Sequence, residues 1–291
     1  MPPTLPCPLS LDRILVSTDN SPASQGAVNA ALDLARACGG RIFLLYVLEF
    51  IPPYDFSQPN ALGMAPGAGQ DFFDMREKAA RKHLERTKEE AARQGLDLEF
   101  RLRTGTPVYT EVLAAADEIQ PQIIVMGRRG RSGLERLLVG SVTARVIGHT
   151  SYKVLVVPRN AALSFERLLV ASDGSPASQA AFQTALDLAK WTGGKLTAVT
   201  AAYGDLDPKR AKALVKDLAG QAKGQDVPLN TLTPGGRAEE AIIREAEAQN
   251  TSLIIMGSRG HTGLKRLFLG SVAERVMGQA TCPVLVVKGA E

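Results

Sequence analysis

Aromatic residues are scarce: they make up 5% of the 291-residue chain, with a single Trp. The interior must therefore be built from Val, Ile, Leu and Ala, a composition suited to a parallel sheet covered by helices. The three cysteines, Cys7, Cys38 and Cys282, are odd in number and far apart. With no CxxC and no Cys/His cluster, neither a disulfide framework nor a metal site is expected, and a reducing cytoplasm is the expected location. No apolar run, such as Ile123–Met126 or Val154–Val157, approaches the ~20 residues of a membrane span. The opening MPPTLPCPLSLDR lacks the basic start and apolar stretch of a signal peptide. Charge of one sign is lacking too: 34 basic and 30 acidic residues leave a net +4. That excess is spread evenly, 19 basic against 17 acidic residues before position 160 and 15 against 13 after it, so no nucleic-acid arm is expected. At 45% hydrophobic residues the chain has enough apolar surface to fold, and its 27 Gly and 17 Pro have no three-residue period, which excludes disorder and collagen.

What the chain does have is an internal repeat. Residues 14–40, ILVSTDNSPASQGAVNAALDLARACGG, return at 168–194 as LLVASDGSPASQAAFQTALDLAKWTGG, an offset of 154. Residues 123–148, IIVMGRRGRSGLERLLVGSVTARVIG, return at an offset of 130, ending at Gly278. The first copy is thus longer by 24 residues, and the surplus lies between about Ile51 and Gln70. Pro, Gly, Asn and Ala dominate that stretch, so it reads as a long loop, either a lid or a mobile connection. Within each copy short apolar runs alternate with segments of helical spacing. In the first copy the runs are Arg13–Ser17, Arg41–Leu48, Leu98–Arg103, Gln122–Met126 and Val154–Val157. The helices begin near Pro22, Asp71, Pro107 and Ser141. This pattern predicts an α/β fold of two tandem, doubly wound parallel sheets, with domains at 1–160 and 161–291. Ligands of such sheets bind beyond the carboxyl ends of the strands.

The chemical signal sits at those ends. Directly after the strand ending at Met126 come Gly127 and Gly130, then nine residues, then Gly140 and Ser141; after Met256 come Gly257 and Gly260, nine residues, then Gly270 and Ser271. Glycines let a backbone approach a ligand closely, and amides at a helix start favour an anion. Arg128, Arg129 and Arg131, and in the second copy Arg259 and Lys265, add cations to the same loops. The arrangement is that of a phosphate cradle, although neither Walker A nor GxGxxG is present. The bland alternative makes the glycines turn residues and Ser141 a cap. Asp19 and Asp173 end the first strand of each copy and read either as carboxylates for ribose or base donors or as helix N-caps. Val47 and its counterpart Ala201 are candidates for an apolar wall beside a base. Met126, Met256, Val142, Thr143 and Val272 flank the cradles and complete the candidate binding set. His83, His149 and His261 have no Ser or Cys nucleophile beside them, so no catalytic residue is assigned.

On these residues the chain resembles the universal stress protein family, in its ATP-binding branch, across nearly its whole length. The opening strand with Asp and Ser-Pro-x-Ser, the Gly-x2-Gly-x9-Gly-Ser signature in both copies, and the closing Val-Leu-Val-Val strand carry the resemblance. It implies a five-stranded, Rossmann-like sheet of the adenine nucleotide α-hydrolase kind in each domain. It also implies ATP, with Mg2+, held with adenine and ribose near Asp19 and Val47 and phosphates on Gly127, Gly130, Gly140 and Ser141. The matching positions are Asp173, Ala201, Gly257, Gly260, Gly270 and Ser271. Ala201 in place of the usual Val, and Arg128 in place of a small residue, depart from the pattern. Family members pair edge to edge through the last strand, so an internal pseudo-dimer through Val154–Val157 and Val284–Val287 is expected. The implied role is nucleotide-dependent regulation under stress, with slow ATP hydrolysis or a nucleotide-free interaction module as alternatives.

Overall fold

The computed structural model describes residues 7–49, 68–130, 139–203, 206–260 and 269–289. The first repeat contains β1 (Arg13–Thr18), α1 (Pro22–Cys38), β2 (Arg41–Leu48), α2 (Ala68–Arg93), β3 (Leu98–Thr104), α3 (Val108–Ile119), β4 (Ile123–Gly127), α4 (Ser141–His149) and β5 (Lys153–Val157). The second contains β6 (Arg167–Ala171), α5 (Pro176–Thr192), β7 (Lys195–Val199), α6 (Pro208–Gly224), β8 (Leu229–Leu232), α7 (Ala238–Ala248), β9 (Leu253–Gly257), α8 (Ser271–Gln279) and β10 (Val284–Val287). Arg131, Lys265, His261 and the inserted segment up to residue 67 lie outside the described residues. Among the described residues no helix is long and apolar enough to cross a membrane.

The strands form one ten-stranded sheet in the order β3-β2-β1-β4-β5-β10-β9-β6-β7-β8. Within each half every pairing is parallel; at the seam β10 runs antiparallel to β5, with Leu285 opposite Leu155. The expected edge-to-edge pairing of the closing strands is therefore observed, and it turns two five-stranded sheets into one. Helices cover both faces, so strands such as β4 and β10 are buried at every residue. One apolar cluster lies on the face of α1, α2, α5 and α6, the other on the face of α3, α4, α7 and α8, and each spans the seam. Trp191 packs at the end of α5, edge-on to Phe165.

Two further contacts cross the seam. Arg128 Nη1 donates to the Ala280 carbonyl, which caps α8, at 2.8 Å. Lys288 Nζ donates to the Ile147 carbonyl in the last turn of α4. A cation from each repeat thus meets the negative end of a helix in the other. Burial first, and Arg129 beside it second, hold the Arg128 pKa below the ordinary guanidinium value.

One expectation fails. Cys7 and Cys38 form a disulfide, with their Cα atoms 5.0 Å apart. The two residues are separated by 31 positions, so no local motif announces them. They meet because Leu9 and Leu11 bury themselves in the core and lay the N-terminal segment across the end of α1. Cys282 is a buried free thiol, pushed up to about 11 by desolvation.

Candidate functional site

Each repeat brings its candidate residues together at the carboxyl ends of its central strands. The apolar run of β1 stops at Asp19, and Asn20 turns the chain with a φ of 60°; its counterpart Gly174 takes a φ of 83°. Asn and Gly are the residues that adopt this left-handed conformation with least strain. Ser21 then caps α1, its Oγ accepting the Ser24 amide at 3.2 Å, with Pro22 in the first position. Ser175 does the same for α5. The helix-cap role weighed for Asp19 and Asp173 thus falls to the serines two residues on. The aspartates instead brace the turn: Asp19 Oδ1 accepts the Ser21 amide and Asp173 Oδ1 the Ser175 amide, each at 3.0 Å.

The other carboxylate oxygen faces the glycine loop. A Cβ on Gly130 would lie 2.8 Å from Asp19 Oδ2, and one on Gly260 would run into Asp173 Oδ2. Gly127 is just as constrained, since its Cβ would come within 2.9 Å of the Ala23 carbonyl oxygen. Gly127 is required by the close approach of the α1 backbone at Ala23, whereas Gly130 and Gly260 let the loop lie against the aspartate side chains. The Arg128 amide donates to the Val157 carbonyl at 2.9 Å and its carbonyl accepts the Gly140 amide at 2.8 Å, so the loop is pinned at both ends. Ser258 repeats both bonds with Val287 and Gly270.

Gly140 and Gly270 themselves are the N-caps of α4 and α8, and among the described residues no side chain caps either helix. Ser141 and Ser271 are first-turn residues and not caps, which corrects the bland alternative for Ser141. The first backbone acceptor inside α4 serves the Ala144 amide, so the amides of Ser141, Val142 and Thr143 precede any intrahelical bond. Thr143 is buried and its Oγ1 donates to the Gly127 carbonyl at 3.0 Å, tying helix to loop. Its counterpart in the second repeat, Ala273, makes no such tie. Val47, Met126 and Met256 are buried at the strand ends beside these loops.

In the second repeat the same residues line a cleft of about 960 Å³. Asp173 and Ala201 form one side; Met256, Gly257, Arg259 and Gly260 form the floor and loop; Gly270, Ser271 and Val272 supply the helix tip. Repeat symmetry alone did not reveal four other residues in the wall, Arg210, Arg237, Glu239 and Arg275. Glu239 is largely buried and bonded to Arg275, with Arg237 Nη2 at 2.9 Å. Burial raises its pKa, but its own backbone amide and the two arginines outweigh this, and the net displacement is downward. Among the described residues no group of three His, Cys, Asp or Glu could hold a metal ion.

The family model for "Universal stress protein family" matches residues 10–158 and again residues 164–288. The chain belongs to the universal stress protein family. A universal stress protein of Mycolicibacterium smegmatis is 31% identical over 296 residues, covering 94% of this chain and 96% of its own. One from Mycobacterium tuberculosis is 26% identical over 311 residues, covering 94% of each. The crystal structure of a universal stress protein from Archaeoglobus fulgidus superposes with a TM-score of 0.72 at 24% identity, over 95% of this chain and 98% of that one, and shares the fold.

His83, which sequence left isolated, reaches from α2 to the exit of β1, where its Nε2 lies 3.4 Å from Thr18 Oγ1. Desolvation first and Arg86 second lower its pKa from the ordinary 6.5, against an opposing pull from Asp19. The unfolded chain therefore takes up a proton near pH 6.5 that the folded chain resists, and stability falls as pH drops through that value. Urea midpoints measured at pH 7.5 and 5.5 should show this fall. His83→Gln is expected to make it smaller; an unchanged fall would remove His83 from the account.

Proposed function

We propose that each repeat binds ATP at its glycine loop and that occupancy regulates the chain's conformation, with domains divided at residues 160 and 161. The observation that carries this reading is the pair of helices, α4 and α8, that begin at a glycine with no side-chain cap among the described residues and follow a loop of closely packed glycines. A chain of phosphate oxygens is the complement of such a tip: it accepts the orphan amides and gains from a helix dipole worth roughly half a positive charge. Arg129 and Arg259 add charge in the same loops. Asp19 and Asp173 supply acceptors for ribose hydroxyls, and Val47 and Ala201 a wall for the base. Magnesium would arrive on the phosphates, since the described side chains offer no cage of their own. No described residue is placed as a general base for hydrolysis.

Mass spectrometry of gently purified protein is the direct test. Co-purified adenine nucleotide, released on unfolding, is the expected result. Protein that emerges free of nucleotide and then takes up none at millimolar ATP would overturn the reading.

A further inference from the structure

The hydrogen-bond ladder of β7 continues past the strand's last residue. Thr200 and Ala202 donate their amides to the Leu232 and Pro234 carbonyls, at 3.0 and 2.9 Å, and Ala202 forms a parallel bridge with Gly235. Side chains of an extended backbone alternate between faces, so Val199, Ala201 and Tyr203 fall on one face. That face is the cleft's, and all three residues line it. Beyond them the Leu206 amide donates to the Tyr203 carbonyl at 3.2 Å, and Asp207 caps α6 by accepting the Lys209 and Arg210 amides. Tyr203 is thus held on its amino side by a sheet ladder and on its carboxyl side by a turn that leads into a capped helix.

The side chain so firmly placed is nevertheless open to solvent. Tyr203 is 60% exposed, one of three large hydrophobic side chains exposed among the described residues; the other two, Phe72 and Met75, lie on α2 of the first repeat. A single exposed apolar residue on a convex surface is ordinary. A ring fixed by backbone bonds in the wall of a cleft of about 960 Å³ instead offers a flat apolar face to whatever enters.

The first repeat has no such ring. At the offset of 154 that pairs Val47 with Ala201, the counterpart of Tyr203 is Glu49, an exposed carboxylate. The second repeat therefore exchanges a bulkier aliphatic wall for a smaller one and adds an aromatic ring two residues on. The strand order places that ring. The glycine loop follows β9, Asp173 follows β6 and Tyr203 follows β7, and the order β9-β6-β7 sets them side by side with two strand spacings, roughly 10 Å, from loop to ring. A nucleotide laid across these exits has its phosphates on the loop, its ribose over Asp173 and its base at Tyr203.

We infer that Tyr203 is the platform on which the second repeat stacks the nucleobase, a contact that the first repeat lacks. The inference rests on the proposed function for the seat of the phosphates. Stacking uses the π-face that every base has, so Tyr203 adds affinity for the base without reading its edge.

The test uses the full chain carrying Gly140→Val, in which the first cradle is blocked, with ATP titrated calorimetrically into the second. Adding Tyr203→Ala is expected to weaken ATP about tenfold, and GTP as much, whereas Tyr203→Phe, which keeps the ring and loses the hydroxyl, retains the affinity. Neither change should move the melting temperature without ligand, because the side chain is mostly exposed and the bonds that hold residue 203 are backbone bonds. In the complementary chain, carrying Gly270→Val, ATP reports on the first cleft and Tyr203→Ala should have no effect. Undiminished affinity in the Tyr203→Ala chain would overturn the inference. So would an equal loss with Tyr203→Phe, or a loss of the same size in the Gly270→Val chain. ATP held by the first repeat alone would overturn this inference and leave the nucleotide reading standing there, whereas ATP that fails to bind even the unmutated chain would overturn both.

Discussion

The chain carrying Gly140→Val and Gly270→Val is expected to melt at the same temperature with and without millimolar ATP and magnesium, whereas the unmutated chain rises by several degrees. The size of the rise follows from mass action: a site filled at a hundred times its dissociation constant contributes ~2.7 kcal/mol to the folded state. The choice of glycines follows from geometry. Gly140 has a φ of −60°, which any residue adopts, and a Cβ there would lie 3.3 Å from the Arg128 carbonyl oxygen and the Arg129 Cα. The neighbours must yield by tenths of an ångström, and the branched side chain then occupies the gap between helix tip and loop. Gly270 is placed alike, with the Ser258 carbonyl oxygen 3.3 Å from its Cβ. By contrast, Gly257→Val would drive a Cβ to 2.8 Å from the Ser178 amide nitrogen and test folding, not binding. Single variants are expected to lose part of the shift each. Retention of the full rise in the double variant, with the far-ultraviolet spectrum unchanged, would remove the helix tips as the phosphate seat.

The elements of this fold were legible in the sequence because each is announced locally. β2 reads as an unbroken apolar run since both faces of the sheet are covered, and α1 opens on Ser-Pro because capping and a fixed φ act within three residues. The seam was legible for a related reason: Val154–Val157 and Val284–Val287 are apolar at consecutive positions, which an exposed edge would not tolerate. The loops were legible through glycine spacing repeated in both copies. What escaped depends on residues that meet only in three dimensions. The disulfide joins Cys7 to Cys38 through the burial of Leu9 and Leu11, and no spacing rule connects them. The Arg237–Glu239–Arg275 cluster unites the start of α7 with α8. Its one advance signal was the loss of symmetry at Pro107/Arg237 and Tyr109/Glu239, visible only if the repeats are compared for their differences. Arg128 stands out in the sequence as a departure from the family pattern, yet its partner, Ala280, is 152 residues away in the other repeat.

Replacing Leu285 is expected to cost more stability than any surface change, because the seam is core and not a contact between two finished domains. Leu285 and Leu155 face each other across β10 and β5, each 1% exposed, and belong to one cluster that runs through both repeats. Leu285→Ala should cost ~2–5 kcal/mol through lost burial and the cavity left behind. Leu285→Asp should leave no cooperatively folded chain at neutral pH, since the carboxylate would be buried without a partner. Leu285→Met, which conserves volume, should stay within ~1.5 kcal/mol of the unmutated chain, and the exposed Lys216→Asp within ~0.5 kcal/mol. Urea unfolding followed by both near- and far-ultraviolet dichroism gives the comparison. The unmutated chain is expected to unfold in one transition, because both apolar clusters cross from β5 to β10. Two separate transitions, with Leu285→Ala moving neither, would mean that the halves fold as independent sheets that merely touch. Closing the edges against each other would then contribute nothing, and Arg128 and Lys288 would be bridging surfaces free to part.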